Sequence, residues 1–342
     1  MPRRFHKQQG LSLIELMVAL VIGLLLMAAV VQMFVGSRVT YSMQTELAKL
    51  QENARFAMQF LRRDLSQAGY FGCKIHDFYS DDEVTSILSS TTDSSGDDWF
   101  TPLIVDDNDF PTSDELKIRY TQASAGCVVN EDDIGDDYLR CTTAHGFQQG
   151  NILVVADCKY KAIFQMTNND NDDGTLIEHK QSDDLWPGNC VGTLGAQSEC
   201  TGSATSDPYT SWTNATVQSF GNYTYEIKQN SFGQPALYRD SDEMVEGVEN
   251  MQLLLGVDTD GDGSANCFTT NVANCSAGAS DSQVVAVRVS LLLVSIEDNL
   301  VDARPANEFA GTPFEDYTPT DNKLRKVFTS TVTLRNRLIE NE

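Results

Sequence analysis

Apolar residues fill the chain almost without interruption from Leu11 to Val35, LSLIELMVALVIGLLLMAAVVQMFV, where Glu15 and, near the end, Gln32 stand out as polar. No charged residue falls between Leu16 and Val31. As a helix rising about 1.5 Å per residue, a run of this length crosses a bilayer core of about 30 Å. The pattern then changes. Leu47, Leu50, Ala54, Met58, Leu61 and Leu65 recur at three- and four-residue steps, which predicts an amphipathic continuation. Helix formers dominate this stretch, and Gly69 offers a C-terminal stop. An unbroken helix from Leu11 to about Gln67 would be roughly 85 Å long. Gly23 and Gly36 are the points where it would bend.

Beyond Gly69 the period shortens. ELKIRYTQA (115–123), NILVVADCKYKAIFQMT (151–167) and NYTYEIKQ (222–229) carry the alternation or β-branched enrichment of strands. QVVAVRVSLLLVS (283–295) predicts a buried central strand, and KVFTSTVTLRNRL (326–338) predicts a final one. Residues 80–114 are rich in Ser, Thr, Asp and Gly and read as a long solvated loop. With no internal repeat and no Pro-rich linker, the expected fold class is α+β. A long N-terminal helix, transmembrane in its first half, would precede a mostly antiparallel, loop-rich β domain stapled by disulfides. The expected organisation is a leader at 1–10, a transmembrane or filament-core helix at 11–35, its amphipathic continuation at 36–69 and a β-rich periplasmic or extracellular domain at 70–342.

Composition changes the picture in two ways. The formal charge is -25, from 49 acidic and 24 basic residues in 342, which argues against nucleic acid as the main partner. Eight cysteines, all beyond the apolar run and without a CxxC pair, point to disulfides in an oxidising compartment rather than to zinc or iron–sulfur. The sequence-local pairs Cys267–Cys275 and Cys190–Cys200 are the candidates that spacing offers.

The segment before the apolar run is short and basic, MPRRFHKQQG, and Arg3, Arg4 and Lys7 favour a cytoplasmic N-terminus. An ordinary secretory signal is cut after its apolar region at a small-residue site, and no such site follows here. Glu15 is the informative exception within the run. A carboxylate in an apolar span costs several kcal/mol without a partner, so it is a functional candidate. It stands about one turn from Leu11. Cleavage after Gly10 would create an α-amine at Leu11 able to pair with the Glu15 carboxylate of a neighbouring helix. The alternative is an interfacial glutamate that reaches for headgroups.

QQG followed by LSLIELMVALVIGLLLMAAVV resembles the class III signal of type IV pilins and pseudopilins. The resemblance implies that a prepilin peptidase cuts between Gly10 and Leu11 and that Glu15 serves subunit packing. The family usually begins its mature chain with phenylalanine, where this chain has Leu11. RRDLSQAGYFGC (62–73), EMVEGVENMQLLLGVDTDGDG (243–263) and LRKVFTSTVTLRNR (324–337) are similar to the PilW family of minor pilins. That similarity implies a low-abundance subunit that joins other minor pilins in a complex priming assembly. It would sit with the major pilin at or near the filament tip, beneath an adhesin. The protein would begin in the inner membrane with a single span and end in the filament at the cell surface.

One constellation offers metal chemistry. VDTDGDGSANC places Asp258, Asp260 and Asp262 at positions one, three and five of a calcium loop, with Gly263 at the sharp turn of position six. The Ser264 carbonyl falls at seven and Asn266 at nine, while position twelve is Thr269 instead of a bidentate glutamate. Calcium bound there would have weak, extracellular-type affinity near about 10⁻⁴–10⁻³ M. An acidic solvent-exposed turn is the plainer alternative. NNDNDDG (168–174) is a poorer version and reads as a solvated turn. No organic cofactor is implied, because HExxH, GxSxG, Walker-type and GxGxxG motifs are all missing. His76, His145 and His179 are scattered and expected in loops or at the surface. Three further readings remain: a type II secretion minor pseudopilin, a tip-displayed adhesin or DNA-binding module, and a tethered enzyme with no visible site.

Overall fold

The computed structural model describes residues 12–72, 84–90, 92–99, 101–108, 110–157, 160–169, 174–194, 212, 214–276, 278–298, 300–301 and 308–337. Its first element is one helix, α1 (Leu13–Leu65), of 53 residues, about 80 Å long. Gly23 and Gly36 lie within it. Its last turn closes at Ser66, where the N–H donates to the Arg62 carbonyl at 3.0 Å. The helix therefore stops four residues short of Gly69. That glycine, at φ 77°, turns the chain in a conformation other residues resist, and its N–H donates to the Arg119 carbonyl at 2.9 Å.

The strands that follow form two sheets. The larger is built from β1 (Val84–Ser86), β2 (Leu103–Asp106), β3 (Glu115–Gly135), β4 (Tyr138–Cys141), β5 (Ile152–Ala156), β6 (Lys161–Gln165), β7 (Leu176–Glu178), β8 (Thr216–Gln229), β9 (Pro235–Arg239) and β10 (Asp242–Glu246). Its main path runs β1-β6-β5-β8-β3-β4-β7, and β9 with β10 extends from β8. The smaller sheet is β12 (Cys267–Thr269), β11 (Val248–Val257), β13 (Val284–Val294) and β14 (Arg325–Thr333), in that order. Every pairing among them is antiparallel except β1 with β6. The fold is thus the expected α+β one, a long helix and a mostly antiparallel β domain with disulfides.

One core joins α1 to both sheets. Leu50, Ala54, Ala57, Leu61 and Leu65 meet Leu116 and Tyr225 of the larger sheet and Val289 and Leu291 of the smaller. Leu47 and Met58, predicted on the same stripe, are partly buried at its edge. The sheets are also tied by hydrogen bonds. Asp114 donates its N–H to the Met251 carbonyl at 2.9 Å, and its Oδ2 accepts from the Leu253 N–H at 2.6 Å. A second core lies within the larger sheet around Leu139, Phe164, Val217 and the Cys127–Cys141 disulfide.

Two strand expectations and one loop expectation change. Residues 151–167 form a hairpin, β5 and β6 in register from Ile152↔Gln165 to Ala156↔Lys161, rather than one strand. Both strands are buried on both faces, so alternation does not mark the turn. The stretch 80–114 is not simply a solvated loop. It supplies β1, β2 and the buried Ile87, Leu88, Trp99 and Leu103. Finally, β14 ends at Thr333, and a 3₁₀ turn follows over Arg335–Arg337.

Candidate functional site

The N-terminal half of α1 is the most unusual surface of the molecule. All of residues 12–40 are exposed, so among the described residues nothing covers the apolar run from Ser12 onward. By length and composition it suits a membrane span. Gly10 and Leu11 lie outside the described residues. Glu15, which follows them, closes a capping box. The Ser12 N–H donates to its Oε2 at 3.0 Å, and the Glu15 N–H donates to Ser12 Oγ at 3.3 Å. Two of the four unpaired N–H groups at the helix start are satisfied in this way.

At the other end of α1 the helix is fastened through Asp64, which is fully buried. Its Oδ2 accepts from the Tyr225 hydroxyl at 2.6 Å and from Arg239 Nη1 at 3.2 Å, while Oδ1 accepts from Arg63 Nε at 3.0 Å. Burial, and then the carboxylate beside it, push the Tyr225 hydroxyl above the usual tyrosine range, so it stays a donor. Sequence reading missed this cluster, whose members come from α1, β8 and β9.

The acidic loop bridges β11 and β12, which pair from Leu255↔Thr269 to Val257↔Cys267. The Cys267–Cys275 disulfide is formed, with Cα atoms 5.8 Å apart, and closes the chain just after the loop. Asp258 is buried and acts as the loop's hub. Its Oδ1 accepts from the N–H groups of Asp260 and Gly261 at 3.2 and 2.7 Å, and Oδ2 accepts from Gly263 N–H at 2.8 Å. Burial alone would raise its carboxyl, but the N–H donors of Gly263, Gly261 and Asp260 prevail and hold it below the usual range. Gly263 turns at φ 82°. One ligand oxygen from each of Asp258, Asp260 and Asp262 lies within 4.8 Å of the others. Asp258 is buried, whereas Asp260 and Asp262 are exposed.

Ser264 and Asn266 are placed differently from those three. The Ser264 N–H donates to Asp262 Oδ1 at 2.7 Å, and Asn266 Oδ1 accepts from the Thr259 N–H and hydroxyl at 3.0 and 2.9 Å. The Asn266 side-chain oxygen is therefore engaged inside the loop. Thr269, at position twelve, lies in β12 with its hydroxyl donating to the Asn271 carbonyl. The NNDNDDG stretch falls partly outside the described residues.

Cys190 is in a disulfide; its expected partner Cys200 lies outside the described residues. Cys127–Cys141 was not anticipated and joins β3 to β4 with Cα atoms 5.3 Å apart. His76 lies outside the described residues, and His179 stands in the loop just after β7, as expected, but not at the surface. It is fully buried, with Nδ1 2.8 Å from the Gly192 carbonyl oxygen, and burial depresses it to about 4. Of the tryptophans, Trp99 and Trp212 are core residues and Trp186 is exposed.

A family model described as Type IV Pilus-assembly protein W matches residues 205–336, and one described as Prokaryotic N-terminal methylation motif matches residues 5–31. The first covers β8 to β14 with the acidic loop, and the second covers the capping box and most of the exposed apolar run. No curated protein and no solved structure matches the chain.

Proposed function

We propose that this PilW-like type IV minor pilin, which the two matched regions support, is cut by a prepilin peptidase between Gly10 and Leu11 and primes pilus assembly with other minor pilins. Both matches indicate a structural pilus component rather than an enzyme, and the apolar helix supports membrane anchoring before entry into a filament. In the proposed sequence of events the N-terminus is cytoplasmic and α1 crosses the inner membrane once. The apolar half then leaves the bilayer by packing against the helices of other subunits. The freed amine of Leu11 pairs with a neighbour's Glu15, and the complex sits on the major pilin at or near the tip, beneath an adhesin. A calcium ion held by Asp258, Asp260 and Asp262 would stiffen the β11–β12 loop on the exposed domain.

One observation carries this reading: a helix of 53 residues whose first half is largely apolar and exposed, with no charged residue from Leu16 to Val35 and a capping carboxylate near its start. Such a surface is unstable in water and must be covered by lipid or by other helices. Mass spectrometry of protein recovered from sheared surface filaments tests it. The expected result is a mature N-terminus at Leu11 with other pilins alongside. An intact Met1, or a cut after Val35 with the protein free in the periplasm, overturns the reading.

A further inference from the structure

The second half of α1 has two faces of opposite character. Leu50, Ala54, Ala57, Leu61 and Leu65 face the core. On the other side Arg55, Gln59, Arg62 and Ser66 follow one another at four-, three- and four-residue steps, a single helical stripe. Beside this stripe come Ser330 of β14 and Arg335 of the turn after it, and together with Met58 and Arg63 they enclose a groove of about 460 Å³. Four arginines line it, Arg55, Arg62, Arg63 and Arg335, all exposed, and no lining residue is acidic. In a chain with 49 acidic and 24 basic residues, such a concentration of one sign is unexpected.

The guanidiniums are also only lightly engaged. Arg63 reaches Asp64 at 3.0 Å, and Arg55 lies over the Phe56 ring with its carbon 4.7 Å from the centroid. Among the described residues, Arg62 and Arg335 make no ion pair. Like charges gathered with only Arg63 paired to a carboxylate repel one another and attract an anion. Arginine's planar fork favours the flat, two-oxygen face of a carboxylate. Met58 and the arginine stems supply an apolar floor suited to a side-chain partner.

We propose that this groove docks an acidic segment of a different filament subunit, one carrying carboxylates about 10 Å apart, the rise between Arg55 and Arg62 along the helix. Charge decides among the occupants. A second copy of this chain brings the same -25, so two copies repel. A nucleic acid needs a continuous basic track, and the chain as a whole carries about twice as many acidic as basic residues, 49 against 24. The groove sits on α1 about 30 Å beyond the apolar run, on the element through which the proposed filament packs. That the partner is a filament subunit rests on the assembly reading above; the capture of carboxylates does not.

The test uses the mature full chain in detergent micelles and a fluorescein-labelled helical peptide bearing glutamates seven residues apart. Fluorescence anisotropy should show binding that weakens with salt. It should fall by about tenfold for the Arg62→Glu, Arg335→Glu double variant and return when the peptide carries lysines in place of its glutamates. Arg62→Gln with Arg335→Gln provides the same comparison if charge reversal lowers the thermal midpoint. The inference is overturned if a glutamine-substituted peptide binds equally well, if duplex DNA binds more tightly and loses affinity in the same variants, or if the protein self-associates through these arginines. Because the assay needs no assembly, failure to bind removes the groove while leaving leader processing intact. An unprocessed Met1 in filaments would instead sink the assembly reading alone.

Discussion

The Asp64 carboxylate, on the last turn of α1, accepts a hydrogen bond of 2.6 Å from the hydroxyl of Tyr225, 161 residues away in β8. Both residues are fully buried. Arg239 of β9 joins the same oxygen, so helix and sheet meet through one desolvated charge with three donors. If a growing filament loads α1, the domain follows it through this contact and the surrounding apolar core.

Removing the carboxylate should therefore cost more than its apolar contacts alone. Asp64→Ala strands Arg239 and the Tyr225 hydroxyl, and a loss of about 3–5 kcal/mol is expected. Tyr225→Phe removes one donor and should cost about 1–3 kcal/mol. Urea denaturation of the full chain in micelles measures both. Changes within about 0.5 kcal/mol for Asp64→Ala would show that the apolar face alone holds the helix.

Two buried groups push stability in opposite directions with pH. Burial raises Asp114 to about 6, against the opposing N–H donors of Asn108 and Leu253, with Asp107 nearby adding to the rise. Its folded state holds a proton longer than the unfolded one, so its stabilisation is complete below about 4 and disappears as pH rises through about 6. His179 is depressed to about 4 from the usual 6.5. Its contribution is complete above about 6.5 and disappears as pH falls through about 4. On acidification, Asp114→Asn should lose stability more steeply than wild type, and His179→Phe less steeply. Thermal midpoints between pH 7 and pH 4 decide it, and parallel curves for all three proteins would refute both assignments.

What could be read from the chain follows the range of the interactions. The stripe from Leu50 to Leu65 was legible because one period repeats along a long element. Cys267–Cys275 was legible because only 8 residues separate the two sulfurs. Cys127–Cys141 was not, because the β3–β4 hairpin brings them together across a register shift between Val129 and Ile134, and spacing carries no trace of that. Asp64, Tyr225 and Arg239 each look like ordinary surface residues in their own segments, and only the tertiary fold converges them. His179 reads as a loop residue because its neighbours are polar, yet Phe164 packs edge-on against its ring at 5.3 Å. In the acidic loop, alternation of Asp258, Asp260 and Asp262 did indicate which oxygens converge. The diversion of Asn266 toward Thr259 arises only where the folded loop brings the Thr259 N–H and hydroxyl to its side-chain oxygen.

For that loop the expected measurement is a thermal shift with calcium. At a concentration ten times the dissociation constant, a single site should add about 1.4 kcal/mol. Asp262 is exposed, and Asp262→Asn keeps an oxygen for the Ser264 N–H but removes a charge, so the calcium shift should shrink while the stability without added calcium changes little. An equal shift in the variant, or none in wild type, would leave only a self-capped acidic turn.

Glu15 makes the last prediction separable into two roles, capping and charge. As the third helical residue it accepts the Ser12 N–H at 3.0 Å, a bond that a glutamine oxygen at the same position makes equally well. A neighbour's new amine, in contrast, needs the negative charge, which is worth far more in an apolar filament core than in water. Glu15→Gln should thus fold, be cut after Gly10 and accumulate in the membrane, yet be depleted from sheared filaments. Ser12→Ala loses the cap, at about 1 kcal/mol, and should still enter them. Quantitative mass spectrometry of filament and membrane fractions reads both variants at once. If Glu15→Gln appears in filaments at the wild-type level, the carboxylate serves the helix start and not the neighbour, because only the charge distinguishes the two side chains.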